Sequence, residues 1–339
     1  MLTRLPAWSG LFAVLSLALL LLSACGEEIG GAGAVDGGVA MGLVERQVAF
    51  GPRVPGTEAH AAALEWMTAY LRERADTVEQ RPFTWVTTRG DTLALTNVWA
   101  SFSPESPSRV LLLAHWDSRP VAEMSSDSAD RGRPVPGAND GASGVAVLLA
   151  VADALAEDPP GIGVDLLLTD GEDWGHDPVT YATEVQDMFL GARRFAATRG
   201  GSYRPLFAIL LDLVGDRDPH FPMEGNSVRY APEVVRRVWE TAADLGHSDV
   251  FVSRQGRAIN DDHVPLNEIG IRTIDVIDFD YPYWHTVEDT PDKVSARTLG
   301  IVREVVLETI RRHAGGPSGP PPPPGFSPPA GRRGPLGRG

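Results

Sequence analysis

The chain has one cysteine, Cys25, among 339 residues, so a disulfide within the chain is excluded. It also lacks an excess of positive charge, because its formal net charge at pH 7 is −15. Nucleic acid and anionic lipid headgroups are therefore poor partners. A nucleophile elbow of the G-x-S-x-G type is missing as well, since Val145 stands where the motif around Ser143 needs its second glycine. This absence argues against a serine α/β-hydrolase.

The N-terminal apolar stretch is too short to cross a bilayer comfortably as a helix. Leu11–Ala24 has 14 residues, a length typical of a signal-peptide core, and Arg4 precedes it. The stretch ends in LSAC, a pattern that resembles the lipobox of bacterial lipoproteins. We therefore expect residues 1–25 to be a lipoprotein signal peptide and Cys25 to carry the lipid that anchors the exported protein to a membrane. A plain secretory signal is the alternative. For a lipid-anchored protein of a Gram-negative bacterium, Gly26 after Cys25 favours the outer membrane, on its periplasmic side, as the place of the anchor.

Two further segments have little to bury. Residues 26–38 read GEEIGGAGAVDGG, which is typical of a flexible tether. Residues 315–339 are rich in proline and glycine and predict a disordered tail. Residues 39–314 remain as a single domain of the α/β class.

Short apolar runs alternate with helical patterns along this domain. The predicted strands are Arg109–Ala114, Val164–Thr169, Leu206–Leu211 and Arg272–Ile277, and Arg81–Phe102 predicts a β-hairpin. The predicted helices are Gly56–Arg74, Ser143–Leu155, Leu190–Thr198, Pro232–Leu245 and Ser295–His313. This alternation predicts a three-layer α/β/α sandwich with a mixed, mostly parallel sheet. In such a sheet, ligands bind at the carboxyl ends of the strands.

Acidic and imidazole side chains cluster at those predicted strand ends. The segment VDLLLTDGEDWG places Asp170, Glu172 and Asp173 directly after a buried strand, where like charges are costly unless a cation lies opposite them. His115 follows another strand, and further candidates are Asp117, Asp140, Asp212, Asp261, Asp262, His263 and His285. Imidazole and carboxylate ligands without thiolate favour zinc over calcium or magnesium. The sequence therefore predicts an open zinc site at this edge of the sheet.

Each residue also has a plainer interpretation. Asp140 alone is typical of a turn, and His263 alone is typical of a structural hydrogen-bonding histidine. Trp174 and Trp284 are compatible with simple core or rim aromatics. The hypothesis of a site depends on several motifs meeting at one sheet edge.

At these residues the chain resembles the M28 family of zinc peptidases and cyclotransferases. The matching segments are LLLAHWDS, PGANDGASGVAVLLAVADAL, LLLTDGEDWG, FLGARRFA, LLDLVGD, INDDHVP and YWHTVEDT, in the order found in the family. The resemblance implies Asp140, Asp173 and His285 as zinc ligands, with His115 and Asp212 completing the set for a second metal. It implies Asp117 as a carboxylate that orients His115, and Glu172 as the general acid/base. Many members have Glu-Glu where this chain has Glu172-Asp173.

Two activities compete within the family. The glutaminyl cyclases convert the N-terminal glutamine of peptides to pyroglutamate and release ammonia. The aminopeptidases use two zincs to activate a water that hydrolyses the N-terminal peptide bond. Asp261-Asp262-His263 resembles the cyclase DDH motif and Trp284-His285 its Trp-His pair, which favours the cyclase. The cyclase hypothesis implies that Asp261 and Asp212 act together in catalysis. It also implies a substrate pocket lined by Trp284, Trp174 and Asn260. A peptide-binding lipoprotein without catalysis is a third hypothesis, but binding alone has no need of Glu172.

Overall fold

The computed structural model describes residues 37–175, 187–199 and 203–314. Its strands are β1 (Thr77–Val86), β2 (Thr92–Phe102), β3 (Arg109–His115), β4 (Gly163–Thr169), β5 (Ala208–Asp212), β6 (Phe221–Met223), β7 (Phe251–Gln255) and β8 (Thr273–Ile277). Its helices are α1 (Gly38–Val48), α2 (Glu58–Arg72), α3 (Ala142–Glu157), α4 (Leu190–Thr198), α5 (Gly225–Tyr230), α6 (Pro232–Asp244), α7 (His263–Glu268) and α8 (Ala296–Ala314). The predicted signal peptide and the C-terminal tail lie outside the described residues.

The main sheet has six strands in the order β1–β2–β4–β3–β5–β8. Strands β4, β3, β5 and β8 are parallel, whereas β1 and β2 form an antiparallel hairpin that joins the sheet at β4. Gly90 turns the hairpin with a φ of +89°, a conformation that glycine adopts without a Cβ clash. The mixed, mostly parallel sheet predicted from the sequence is thus confirmed.

Helices cover both faces of the sheet. On one face α1, α3 and α8 contact one another, and α3 packs on β3 and β5. On the other face α4 contacts β2, β4 and α7. Leu111 and Leu113 of β3 enter the core on this second face together with Leu167, Phe195 and Leu266. Because neighbouring side chains alternate between the faces, a strand covered on both sides has to be apolar along its buried length, as Val110–Ala114 of β3 are.

The structure also contains elements that the sequence analysis does not predict. Helix α1 begins at Gly38, the last residue of the predicted tether, and Gly42 in its interior weakens the helical signal. Strands β6 and β7 form a separate two-stranded sheet, and β6 has only three residues. Across the described residues, no helix combines the length and the apolar character that a membrane crossing requires.

Candidate functional site

The carboxyl edge of the parallel strands carries the site. Strand β3 ends at His115 and β5 ends at Asp212, while the turn after β4 carries Glu172 and Asp173. His285 lies in the loop that follows β8. Since parallel strands end at the same edge of a sheet, residues separated by up to 170 positions become neighbours there.

Two groups of potential metal ligands share Asp140. The first group is His115, Asp140 and Asp212, and the second is Asp140, Asp173 and His285. His115 Nε2 lies 3.1 Å from Asp140 Oδ1 and 3.3 Å from Asp212 Oδ1. His285 Nε2 lies 3.3 Å from Asp173 Oδ1 and 3.8 Å from Asp140 Oδ2. The structure thus brings all five predicted ligands within reach of one or two cations.

The burial of this cluster favours a bound cation. All five side chains are buried, and Asp140 Oδ2 and Asp173 Oδ2 have no hydrogen-bond partner among the residues that the structure describes. Burial raises the pKa of Asp140, and the adjacent carboxylate of Asp173 raises it further. Burial would also raise the pKa of Asp173, but His285 and Arg119 outweigh it and hold that pKa below its usual range. A divalent ion bound by these carboxylates and imidazoles supplies the missing positive charge, so the donor set fits zinc.

Glu172 lies beside this cluster and is almost completely buried. Its Oε2 is 3.9 Å from His115 Nδ1. Burial raises the pKa of Glu172 well above its usual range, and the nearby carboxylates of Asp173 and Asp261 add to this shift although His115 opposes it. A buried carboxyl group with a raised pKa beside the cluster is a candidate to accept a proton and to return it.

Asp117 positions the turn that carries Glu172 and Asp173. Its two oxygens accept hydrogen bonds from the backbone N–H groups of these residues, at 3.1 and 3.2 Å. Its Oδ1 also lies 3.6 Å from His115 Nδ1. Asp117 therefore faces the predicted partner, His115, but its hydrogen bonds go to the turn.

A second acidic residue, Asp289, holds the loop of Asp140. Its carboxylate accepts hydrogen bonds from the backbone N–H groups of Asn139 and Asp140, at 2.9 and 3.0 Å. The next residue, Gly141, has a φ of +86°, and a Cβ there would lie 2.9 Å from the ring of His115. The close approach of Asp140 to His115 thus requires glycine at position 141.

Arg53 ties this loop to the end of β3 and was not among the predicted site residues. Its fully buried guanidinium donates hydrogen bonds to the backbone carbonyls of Trp116, Pro136 and Gly137, at 3.0, 3.0 and 2.6 Å. Burial lowers the pKa of Arg53 to about 10, against the attraction of Asp289, Asp117 and Asp140. Nothing in the segment GPRVPG distinguishes this arginine from a surface one.

The three carboxylates after β4 face three different cationic or imidazole groups. Asp170 Oδ1 lies 2.9 Å from Nε2 of His60, a residue of α2 that stacks on Trp116. Asp173 Oδ1 accepts a hydrogen bond from Arg119 Nη1 at 2.7 Å. Glu172 faces His115, as described above. Sequence reasoning predicted the need for positive charge here but missed Arg119 and His60.

The Asp261-Asp262-His263 motif lies at the start of α7 and is buried. Burial raises the pKa of Asp261 well above its usual range, and Asp212 raises it further. Asp262 accepts a hydrogen bond from Thr169, the last residue of β4. His263 Nε2 lies 3.2 Å from Glu224 Oε2, so the histidine faces the interior beneath the site.

The aromatic candidates differ in what they contact. Trp284 stacks on the ring of His285 with a centroid distance of 3.7 Å and an interplanar angle of 23°. Trp174 packs against the cluster of Phe83, Leu93, Leu95 and Leu190 beneath the β1–β2 hairpin. Asn260 is exposed just before Asp261. His285 itself has a φ of +55°, a conformation that non-glycine residues adopt chiefly where the surrounding structure enforces it.

A three-layer α/β/α domain that gathers carboxylate and imidazole groups at the carboxyl edge of its sheet is an arrangement suited to a metal-dependent enzyme. Residues 97–310 match the model of peptidase family M28. The chain belongs to this family, whose members are enzymes.

Solved structures and a curated relative agree with this assignment. A glutaminyl cyclase from Tannerella forsythia is 36% identical, with a TM-score of 0.78 over 82% of this chain and 99% of that one. A Zn-dependent exopeptidase from Parabacteroides distasonis is 35% identical, with a TM-score of 0.78 over 83% of this chain and 99% of that one. The glutaminyl-peptide cyclotransferase of Bos taurus is 24% identical over 245 residues, which span 63% of this chain and just under two thirds, 64%, of the bovine protein.

Proposed function

We propose that the protein is a zinc-dependent glutaminyl-peptide cyclotransferase, which converts the N-terminal glutamine of peptides to pyroglutamate and releases ammonia. The observation that carries this proposal is the buried pair of Glu172 and Asp261 beside the Asp140–Asp173–His285 group. The likeness to bacterial glutaminyl cyclases over nearly their whole length supports it.

In this reaction the α-amine of the substrate attacks the carbonyl carbon of its own glutamine side chain. A C–N bond of the five-membered lactam forms, and the bond to the amide nitrogen breaks. Glu172 takes the proton that the amine loses and returns it to the departing nitrogen, which leaves as ammonia. Asp261 and Asp212 accept hydrogen bonds from the amine and hold it in place for the attack.

Asp140, Asp173 and His285 would hold one zinc ion for this chemistry. A zinc ion bound there supplies a Lewis acid that polarises the side-chain carbonyl. Trp284, stacked on His285, would form one wall of a small pocket for the glutamine side chain. Trp174 and Asn260 are the other proposed pocket residues.

The second candidate function is a zinc aminopeptidase. The His115–Asp140–Asp212 group favours it, because this group could hold the second of two metals. Glu172 would then take a proton from an attacking water and return it to the leaving amine. The two functions share most of the site residues, so fold and ligand set alone do not fix the reaction.

One pair of assays separates the two functions. The purified protein is incubated with zinc and a glutaminyl peptide, and ammonia release is followed. In parallel it is incubated with a leucyl chromogenic amide, and the freed amine is followed. Ammonia alone supports the cyclase. Freed amine alone contradicts the cyclase and supports the aminopeptidase. If the zinc-loaded protein gives neither product, the result contradicts both enzymes and favours peptide binding without catalysis.

We further propose that the protein is exported and anchored to a bacterial membrane, the outer membrane in particular, through a lipid on Cys25. The support is the LSAC sequence after a 14-residue apolar stretch. The variant Cys25→Ser should then be released from membranes in a fractionation experiment. Continued membrane association of this variant would contradict the lipid anchor.

A further inference from the structure

Arg119 and Glu123 lie between two of the proposed zinc ligands and connect them. Arg119 Nη1 donates a hydrogen bond to Asp173 Oδ1 at 2.7 Å. Arg119 Nε donates to Glu123 at 2.7 and 2.8 Å. Glu123 Oε1 in turn lies 2.7 Å from His285 Nδ1. Because His285 Nε2 is 3.3 Å from Asp173 Oδ1, the four side chains form a closed ring.

The ring determines which atoms of the two ligands remain available. A carboxylate only accepts hydrogen bonds, so the bond to Glu123 places the imidazole proton of His285 on Nδ1. The Nε2 atom, which faces Asp140 and Asp173, then keeps its lone pair. On the other side of the ring, Arg119 donates to Asp173 Oδ1, while Asp173 Oδ2 accepts no hydrogen bond from any described part of the chain.

The positive charge of Arg119 lies beside the negative charge of Glu123. Arg119 is buried, with a side chain 3% exposed, and the side chain of Glu123 is 14% exposed. The guanidinium and the carboxylate neutralise each other, so the pair adds no net charge to the ligand group. The pair therefore acts on a bound cation by orienting its ligands. Mutation of residues that hydrogen-bond to metal ligands typically lowers metal affinity by about 10–100-fold.

We propose that Arg119 and Glu123 are positioning residues that orient Asp173 and His285 and thereby set the zinc affinity of the site. This inference rests on the proposed zinc site at Asp140, Asp173 and His285.

The double variant Arg119→Met with Glu123→Met separates orientation from folding. Replacing a buried ion pair by apolar side chains of similar size is often neutral or stabilising for the fold. Here, however, the change also leaves Asp173 Oδ1 and His285 Nδ1 without these hydrogen-bond partners, so we expect a lower thermal stability than that of the wild-type protein when both are measured in a chelator. Its zinc affinity, measured by competition with a chromogenic chelator, should fall by about 10–100-fold. The absorption spectrum of the cobalt-substituted protein should change as well, because the ligand geometry changes.

Two further variants complete the test. Glu123→Gln keeps an oxygen that can accept the proton of His285 Nδ1, so its loss of zinc affinity should be smaller than that of Glu123→Met. The matched control is Arg133→Gln, which removes an exposed ion pair with Asp130 from the same loop and should leave zinc affinity unchanged.

The outcomes distinguish this inference from the proposed zinc site itself. A wild-type protein that binds no zinc overturns both. Wild-type zinc binding with equal affinity and an equal cobalt spectrum in the double variant overturns the positioning role alone. If the double variant does not fold, equal zinc affinity in Glu123→Gln, Glu123→Met and the wild-type protein overturns it in the same way.

Discussion

The buried guanidinium of Arg53 offers the sharpest test of how the site is built. It is fully buried and donates to three backbone carbonyls, which belong to the segment after β3 and to the loop before Asp140. We consider the variant Arg53→Met, which keeps much of the side-chain volume and removes every donor. The carbonyl oxygens of Trp116 and Pro136 then lose this donor, and that of Gly137 keeps only the backbone N–H of Ala142 at 3.3 Å.

The size of the effect follows from these contacts. Each buried acceptor left without a donor costs about 1–3 kcal/mol, and local relaxation or an entering water recovers part of this sum. The carboxylates of Asp289, Asp117 and Asp140 also lose the charge that faces them. Removing one partner from a buried charged network typically costs about 3–5 kcal/mol. We therefore expect the free energy of unfolding to fall by about 3–5 kcal/mol.

Urea unfolding in the presence of a chelator measures this change without a contribution from bound metal. The control is Arg133→Met, an exposed arginine whose loss should change the free energy of unfolding by less than about 0.5 kcal/mol. A loss below about 1 kcal/mol for Arg53→Met would refute the reasoning, since the three carbonyls would then have found other partners.

Three further variants test the proposed chemistry. The variant Glu172→Gln should keep its zinc and its fold, but its turnover should fall by about 10²-fold or more because the group that carries the proton is gone. Ammonia release measures the turnover, and zinc stoichiometry measures the bound metal. Undiminished turnover would refute this role of Glu172. His285→Ala should lose metal and activity together, so stoichiometric zinc in the dialysed variant would remove His285 from the ligand set. Asp261→Asn should lower ammonia release from a glutaminyl peptide more than hydrolysis of a leucyl amide, and equal losses would argue against the cyclase.

The sequence predicted the main elements of the fold because their signals are local. Four short apolar runs between amphipathic helices indicated buried parallel strands, and all four lie in the sheet. The short strand β6 was not predicted, because three residues are too few to show an alternation of apolar and polar side chains. Helix α1 was not predicted because its glycines resemble those of the preceding tether. In the folded protein, contacts with α3 and α8 stabilise it.

The candidate ligands were predictable for a related reason. His115 and Asp212 each end a strand, and Glu172 and Asp173 follow one. The ends of parallel strands meet at one edge of the sheet. Their partners follow no such rule. Arg53 and Arg119 lie in irregular segments, and their hydrogen bonds reach residues 83 and 54 positions away, respectively.

By itself, the sequence determined the class of fold, the edge at which the site lies and the kinds of ligand that it offers. These properties depend on periodicity, on strand ends and on residue chemistry, all of which can be read along the chain. Only the tertiary structure decided how each ligand is held, with Asp117 on the Glu172–Asp173 turn, Asp289 on Asp140 and Glu123 on His285. The physical reason is that a hydrogen bond depends on distance and direction in space, which residues remote in sequence acquire only when the chain is folded.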